Sequence, residues 1–323
     1  MTKLLILTGV FIVLLSAPAE AQAKAQCNDK RDNDSDGKID LSDPGCTSRS
    51  DNDETNPIVV TPPPPAGSGV LWMADGEDVT ENEWAELSTH TNCAVTTKPG
   101  ITDSRINRVL SPAYKGAYAY KASVQDGDNC YGERAELGQG NPTRSDMLDR
   151  LFREGEERWI SFDMRLGSDY KTYPGTWQSV MQLKQMGALG SPVMGMHVEE
   201  GQWQLRRTSS DPNNQWPYGF QGKFNLGTAK LNTWTKWTWH VKFSPNSSVG
   251  FLEIFADTGD GQGIRQVFGK QFMSTMKVDN GTTVDSHARV GPYRDPAISG
   301  TATVYYDGWT VATDRATAER NAF

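Results

Sequence analysis

The chain has 323 residues, with 40 Asp+Glu against 32 Lys+Arg and a net charge of −8. That length can bury a sizeable core in one large domain or two smaller ones, and the acidic balance argues against nucleic acid as the main partner. With 31 glycines, 17 prolines and 10% aromatic residues, the composition suits a turn-rich β protein better than a helical bundle and gives no support to a coiled coil or repeat array.

The first segment reads as an address. Lys3 precedes the apolar run from Leu4 to Ala17, and small residues follow at Ala19-Glu20-Ala21 and Ala23-Lys24-Ala25. This is the pattern of a secretory signal peptide over residues 1–25, with a run too short to span a bilayer. The expected mature protein is secreted (extracellular or periplasmic), monomeric and free of membrane. Export makes disulfides the default for Cys27, Cys46, Cys93 and Cys130. Of the three pairings, the linker position favours Cys27–Cys46 and Cys93–Cys130, and the lack of a C-x-x-C pair disfavours zinc.

Residues 26–55 form an Asp-rich module. Asp32, Asp34, Asp36, Asp40 and Asp43 stand at positions 1, 3, 5, 9 and 12 of a loop, with Gly37 at position 6 for the turn. Calcium takes six to eight hard oxygens, and this spacing wraps the chain round one ion, with the Lys38 carbonyl as a further ligand. No helical pattern flanks the loop. It resembles the short, cysteine-bracketed calcium modules of bacterial secreted proteins and thrombospondin type 3 repeats, with Asp51, Asp53 and Glu54 as additional candidate ligands. Calcium would be structural, because so short a module cannot hold itself by apolar burial.

The stretch 56–69, NPIVVTPPPPAGSG, is a boundary: consecutive prolines favour polyproline II, a semi-rigid spacer. The main domain then spans residues 70–323. Short alternating segments between Gly, Pro, Asn and Asp predict strands near 116–124, 130–137, 158–166, 177–185, 192–199, 202–208, 234–243, 250–256, 286–293 and 302–312. One helix is predicted, over Ser145–Phe152. The fold class is all-β, as two packed antiparallel sheets or a jelly roll.

Period-2 alternation assigns faces. Phe162, Met164 and Leu166 form one apolar face, and Trp237, Trp239, Val241 and Phe243 another. Three strands instead carry polar faces: Arg134 with Glu136; Gln178, Val180, Gln182 and Lys184; and Arg289, Gly291 and Tyr293. A solvated surface would look the same.

Arg134-Ala135-Glu136-Leu137, Gln182-Leu183-Lys184 and Arg289-Val290-Gly291-Pro292-Tyr293-Arg294 resemble the three motif strands of jelly-roll polysaccharide lyases. The nearest groups are heparin lyase I-like and glucuronan lyase-like enzymes, with alginate lyases more distant. The ending Val304-Tyr305-Tyr306-Asp307-Gly308-Trp309 is similar to that family's last strand. The resemblance implies that Tyr293 is the catalytic tyrosine and that Gln182 and Arg134 match motif positions. Arg289 stands where a lysine is usual, Gly138 where an arginine is, and Lys184 where a histidine is.

The implied reaction is β-elimination on an acidic, uronate-containing polysaccharide (glucuronan-, alginate- or heparin-like), with no metal required for catalysis. The C5 proton is weakly acidic because the adjacent carboxylate is already negative. Groups such as Gln182, Lys184 and Arg134 must therefore neutralise or hydrogen-bond that carboxylate, while Tyr293 acts as base, acid or both. Among the histidines His197 is the best alternative base, on the face opposite Met194, Met196 and Val198. His90, His240 and His287 have weaker placements. Glu136, Arg289, Trp177 and Arg207 are the expected substrate-binding residues; Arg206 points to the other face of its strand. Tyr170, Tyr173, Trp203, Trp216 and Tyr218 could stack on sugars or serve the core. Two rival readings are a noncatalytic carbohydrate-binding or adhesion module and a β-glucan hydrolase, whose E-x-D-x-x-E strand is absent.

Overall fold

Alternation of the expected kind builds the main body of the protein. Phe162, Met164 and Leu166 are at most 1% exposed, and Trp237, Trp239, Val241 and Phe243 are fully buried. The computed structural model describes residues 24–33, 39–43, 46–54, 69–77, 83–96, 103–140, 150–186, 190–208 and 220–323. The chain divides into two units, residues 1–59 and 60–323.

In the first unit Cys27 and Cys46 are joined, with Cα atoms 5.6 Å apart. Two 3₁₀ turns, Gln26–Asn28 and Asp40–Ser42, stand either side of the Asp-rich segment. The fully buried carboxylate of Glu54 accepts the backbone N–H of Asn33 at 2.8 Å and that of Asp40 at 2.6 Å, and so ties the two ends of that segment together.

In the second unit the strands run as β1 (Val70–Ala74), β2 (Glu86–Ser88), β3 (Val95–Thr96), β4 (Ile106–Val109) and β5 (Ala119–Val124). They continue as β6 (Glu133–Arg134), β7 (Glu136–Gly138), β8 (Glu157–Leu166), β9 (Gln178–Gln185) and β10 (Met194–Glu199). Next come β11 (Gln202–Thr208), β12 (Phe220–Thr228), β13 (Trp234–Lys242), β14 (Phe251–Asp257) and β15 (Arg265–Phe272). The last are β16 (Lys277–Asp279), β17 (Thr282–Val284), β18 (Ser286–Arg294) and β19 (Ala302–Ala312), before helix α1 (Arg315–Ala322).

An eight-stranded antiparallel sheet has the order β15-β14-β13-β8-β19-β5-β4, with β1 on β19. A nine-stranded sheet has the order β12-β11-β10-β9-β18-β7-β2-β3, with β6 on β18. The fold is a β-jelly-roll sandwich. Trp203 of one sheet meets Trp237 of the other edge-on at 5.3 Å, and the Tyr306 hydroxyl donates to the Val180 carbonyl at 2.7 Å. The second disulfide joins Cys93 and Cys130, with Cα atoms 5.2 Å apart.

All ten expected strands recur, the one near 130–137 split into β6 and β7. Of the helix expected over Ser145–Phe152, residues 145–149 lie outside the described residues; at its end Phe152 pairs with Ser286 as a β-bridge. A helix closes the chain at 315–322, where the Asp314 side chain accepts the Thr317 N–H at 2.8 Å. It packs mainly on β19 and β8.

Two bulges shape the outer face of this sheet, and the first changes a face assignment. Met196 pairs with Met181 but His197 pairs with Ser179, so Val180 is an extra residue in β9. Val180 turns into the core, and Ser179 takes the outer face that period-2 counting gives to Val180. Strand β18 bulges beside it: Val290 pairs with Met181 and Tyr293 with Ser179, leaving Gly291 and Pro292 between. Gly291 has φ +137°, and a Cβ there would lie 2.0 Å from the Ala135 carbonyl oxygen. Only glycine fits, and the bulge lets β18 stay paired with β9 while Tyr293 reaches the outer face.

Candidate active site

Strand register lays two rows of side chains across the outer face of the nine-stranded sheet. One row runs Gln204, His197, Ser179, Tyr293 and Arg134, each the Cα partner of the next. The second runs Arg206, Gly195, Gln182, Arg289, Gly138 and Glu86. Ser179 and Gly195 are small, and where they stand the surface dips. The resulting cleft encloses about 170 Å³, with walls that include Trp177, Gln182, His197, Arg206, Thr208 and Tyr293. His197 and Tyr293 face each other across Ser179, two strand spacings or roughly 10 Å apart at Cα. That gap suits a sugar ring.

Each wall has its own support. The Tyr293 ring meets Trp177 edge-on at 4.7 Å and carries the Arg134 guanidinium 3.7 Å above its centre. Arg134 donates to the Tyr131 carbonyl at 2.5 Å and to Glu136 at 3.2 Å. Glu136, 1% exposed, also accepts from the Gln182 side-chain amide. A single buried carboxylate thus fixes the guanidinium over Tyr293 and the amide in the cleft floor. His197 is 8% exposed, with Nδ1 3.7 Å from Glu199. Burial, and then the cations Arg206 and Lys223, hold its pKa well below the usual imidazole value. The imidazole is therefore neutral at neutral pH.

The expected site residues divide accordingly. Tyr293, Gln182, His197 and Trp177 line the cleft. Arg134 and Glu136 stand behind it, as just described. Lys184 is not among the lining residues; its ammonium donates to the Gly190 carbonyl. Burial first, then Arg289, Lys277 and Arg134, lower its pKa to about 7. Arg289 is turned toward Glu86 at 2.5 Å, Ser88 at 3.3 Å and His287 at 3.3 Å. Arg207 shares the strand parity of the core residues Trp203 and Leu205, so it is Arg206 that faces the cleft.

His90 lies 3.5 Å from Asp128, and His240 bridges Glu157 and Glu253 on the other sheet. Among the other candidate stacking aromatics Tyr170 and Trp203 are core, while Trp216 and Tyr218 lie outside the described residues. Sequence reasoning misses Ser179, Gly195 and Thr208. Nothing marks a small residue as a cleft floor until its cross-strand partners are known.

Of the expected calcium ligands, Asp34, Asp36 and Lys38 lie outside the described residues. Asp32 is exposed, Asp43 is 2% exposed, and the Asp40 carboxylate accepts the Lys30 N–H at 3.0 Å. Among the described residues the one cluster with metal-like spacing is Cys27, Cys46 and Glu54, and its two sulfurs are spent in a disulfide.

A family model described as polysaccharide lyase matches residues 77–310. Among solved structures, the endo-β-1,4-glucuronan lyase of the fungus Trichoderma reesei is similar, with a TM-score of 0.54 and 18% identity over 76% of this chain and 96% of that one. An alginate lyase from Aplysia kurodai aligns with a TM-score of 0.48 and 8% identity, over 76% of this chain and 100% of that one. One from Pseudomonas aeruginosa gives 0.47 and 14%, over 73% and 99%. A search of curated proteins found no match.

Proposed function

The chain belongs to the polysaccharide lyase family, and from that premise we propose that it cleaves a uronate polysaccharide by β-elimination in the cleft between His197 and Tyr293. The sugar ring lies over Ser179 and Gly195. Gln182, its amide anchored by Glu136, donates to the uronate carboxylate and stabilises the charge that develops there as C5 loses its proton. His197 takes the C5 proton. The electron pair of the C5–H bond forms the C4=C5 double bond, the C4–O4 bond breaks, and the Tyr293 hydroxyl protonates the departing O4. The products are a new saturated chain end and an unsaturated uronate.

The observation that carries this reading is the pairing of a neutral imidazole and a phenol on opposite sides of a small-residue floor. Among the described residues no carboxylate lines the cleft. A two-carboxylate hydrolase would need its acids 5 to 10 Å apart on either side of the sugar, roughly. Assay of Tyr293→Phe tests the reading: we expect at least a hundredfold loss in the rise of ultraviolet absorbance from unsaturated uronate, with the melting temperature kept. Full activity in that variant would sink it.

A panel of glucuronan, alginate and heparin-like polymers identifies the substrate. Secretion is part of the proposal, supported by the leader sequence and the two disulfides. Among the described residues no helix is long and apolar enough to cross a membrane. We also propose a structural calcium ion in the Asp-rich loop, on the strength of its carboxylate spacing. Calorimetric titration of the calcium-stripped protein should show one binding event, and a flat titration would refute it.

A further inference from the structure

Beside the cleft lies a charge cluster that the reaction above leaves unused. Glu199 ends β10 and its side chain is 4% exposed. One carboxylate oxygen lies 2.5 Å from Arg206 Nε and 3.7 Å from His197 Nδ1; the other lies 2.6 Å from Lys223 Nζ. Burying a carboxylate is costly, and a buried ion pair adds little stability over an apolar replacement. What the cluster does achieve is aim. Arg206 stands across Gly195 from Gln182, and a Cβ at Gly195 would come within 3.6 Å of His197 Nε2. The Gln182 amide, the Arg206 guanidinium and His197 Nε2 therefore border one gap, and Glu199 lies behind two of the three, against the Arg206 Nε edge and 3.7 Å from His197 Nδ1.

We propose that Glu199 is a positioning residue that holds Arg206 as the arm binding the uronate carboxylate and keeps the proton of His197 on Nδ1, so that Nε2 presents its lone pair to C5. This rests on the β-elimination reading and adds to it a residue pair that selects for a charged carboxylate. The logic is electrostatic. A carboxylate on the Nδ1 side favours the Nδ1–H tautomer. An arginine fixed by its Nε edge meets a planar carboxylate better than a flexible one does. The charged or titratable groups around His197 are Glu199 on its own strand, Arg206 from β11, Lys223 from β12 and Tyr293 from β18; its neighbour on β9, Ser179, is neutral.

The test compares Glu199→Gln, Glu199→Asp and Arg206→Gln across pH, on a polyuronate that the wild-type enzyme cleaves. Glu199→Gln leaves two cations uncompensated beside His197. Its kcat/KM should fall about a hundredfold, in the range seen when one transition-state donor is lost, and the acid limb of the profile should move to lower pH. Arg206→Gln removes one of the cations, so its acid limb should move upward, and its KM should rise on polyuronate but not on the methyl-esterified polymer. Glu199→Asp keeps the charge and should retain the wild-type limb with part of the rate.

Acid limbs that do not move in opposite directions, or a Glu199→Gln rate within threefold of wild type, would overturn the inference. Should Glu199→Gln fail to fold, the limb and the ester dependence of Arg206→Gln decide. A wild-type enzyme that forms no unsaturated product overturns the underlying reading instead, so the two failures are distinct.

Discussion

Replacing Glu136 by glutamine tests how one buried charge holds the cleft. The side chain is 1% exposed and receives both Arg134 Nη1, at 3.2 Å, and the Gln182 amide. Glutamine keeps the shape and removes the charge against which Arg134, itself 8% exposed, is buried. Breaking a buried ion pair from one side costs about 3–5 kcal/mol. Arg134 keeps the Tyr131 carbonyl at 2.5 Å and the Tyr293 ring at 3.7 Å, and a cation–π contact is worth ~0.5–2 kcal/mol. The lower end, about 3 kcal/mol, is therefore expected. For a domain of this size each kcal/mol moves Tm by about 2–4 °C, which gives a fall of about 6–12 °C.

Activity should suffer separately: the one oxygen that glutamine keeps is drawn to the Arg134 cation, the Gln182 amide then meets an NH2 in place of its acceptor, and about a hundredfold in kcat/KM is lost. Scanning calorimetry and initial rates of unsaturated product measure the two effects. Adding Arg134→Met to Glu136→Gln removes the stranded charge and should restore much of the Tm while the rate stays low. A Tm loss below about 2 °C, set against the range just derived, with a rate close to wild type, would refute the reasoning.

Gly291→Ala probes the bulge that delivers Tyr293. Its Cβ would sit 2.0 Å from Ala135 O and 2.7 Å from Glu136 Cα, both backbone, at φ +137°. A loss of several degrees in Tm together with most of the activity is expected, and an unchanged melt would show that β6 and β7 yield freely. Lys184→Met concerns stability. The ammonium has a pKa of about 7 in the folded protein against about 10.4 in an unfolded chain. Between those values the unfolded state binds more protons, so the lysine penalises folding at neutral pH and the penalty fades toward pH ~10. The methionine variant should therefore melt higher at pH 7, with the advantage shrinking as the pH rises; a pH-independent difference would contradict the assignment.

Where the sheet is regular and one face is dry, the sequence speaks clearly. Trp237, Trp239, Val241 and Phe243 sit at alternate positions of β13 and its continuation, and all are fully buried. The polar row of β10 likewise puts His197 opposite Met194 and Met196. Edge strands are harder: β15 is exposed on both faces for most of its length, so no period-2 contrast marks it. Helix α1 buries only Thr317, Ala318 and Ala322, leaving its Asp314 cap as the one sequence signal.

The site is legible in part, since its tyrosine and glutamine stand in motif strands. The bulge at Val180 defeats the alternation rule at a position that shapes the cleft, whereas Arg289 and Tyr293 keep their shared face across the bulge at Gly291. The choice between Arg206 and Arg207 depends on parity alone. The Glu199 cluster joins residues from three strands, which sequence separation hides.

The most direct test of the central claim is the chemical identity of the ends that the wild-type enzyme creates. Digestion of a polyuronate, followed by mass spectrometry and ultraviolet absorbance, separates elimination from hydrolysis. Elimination leaves fragments ending in an unsaturated uronate, one water lighter than hydrolysis products and absorbing in the ultraviolet, and this is the expected result. Fragments all at the full hydrolysis mass, with no rise in absorbance, would contradict it.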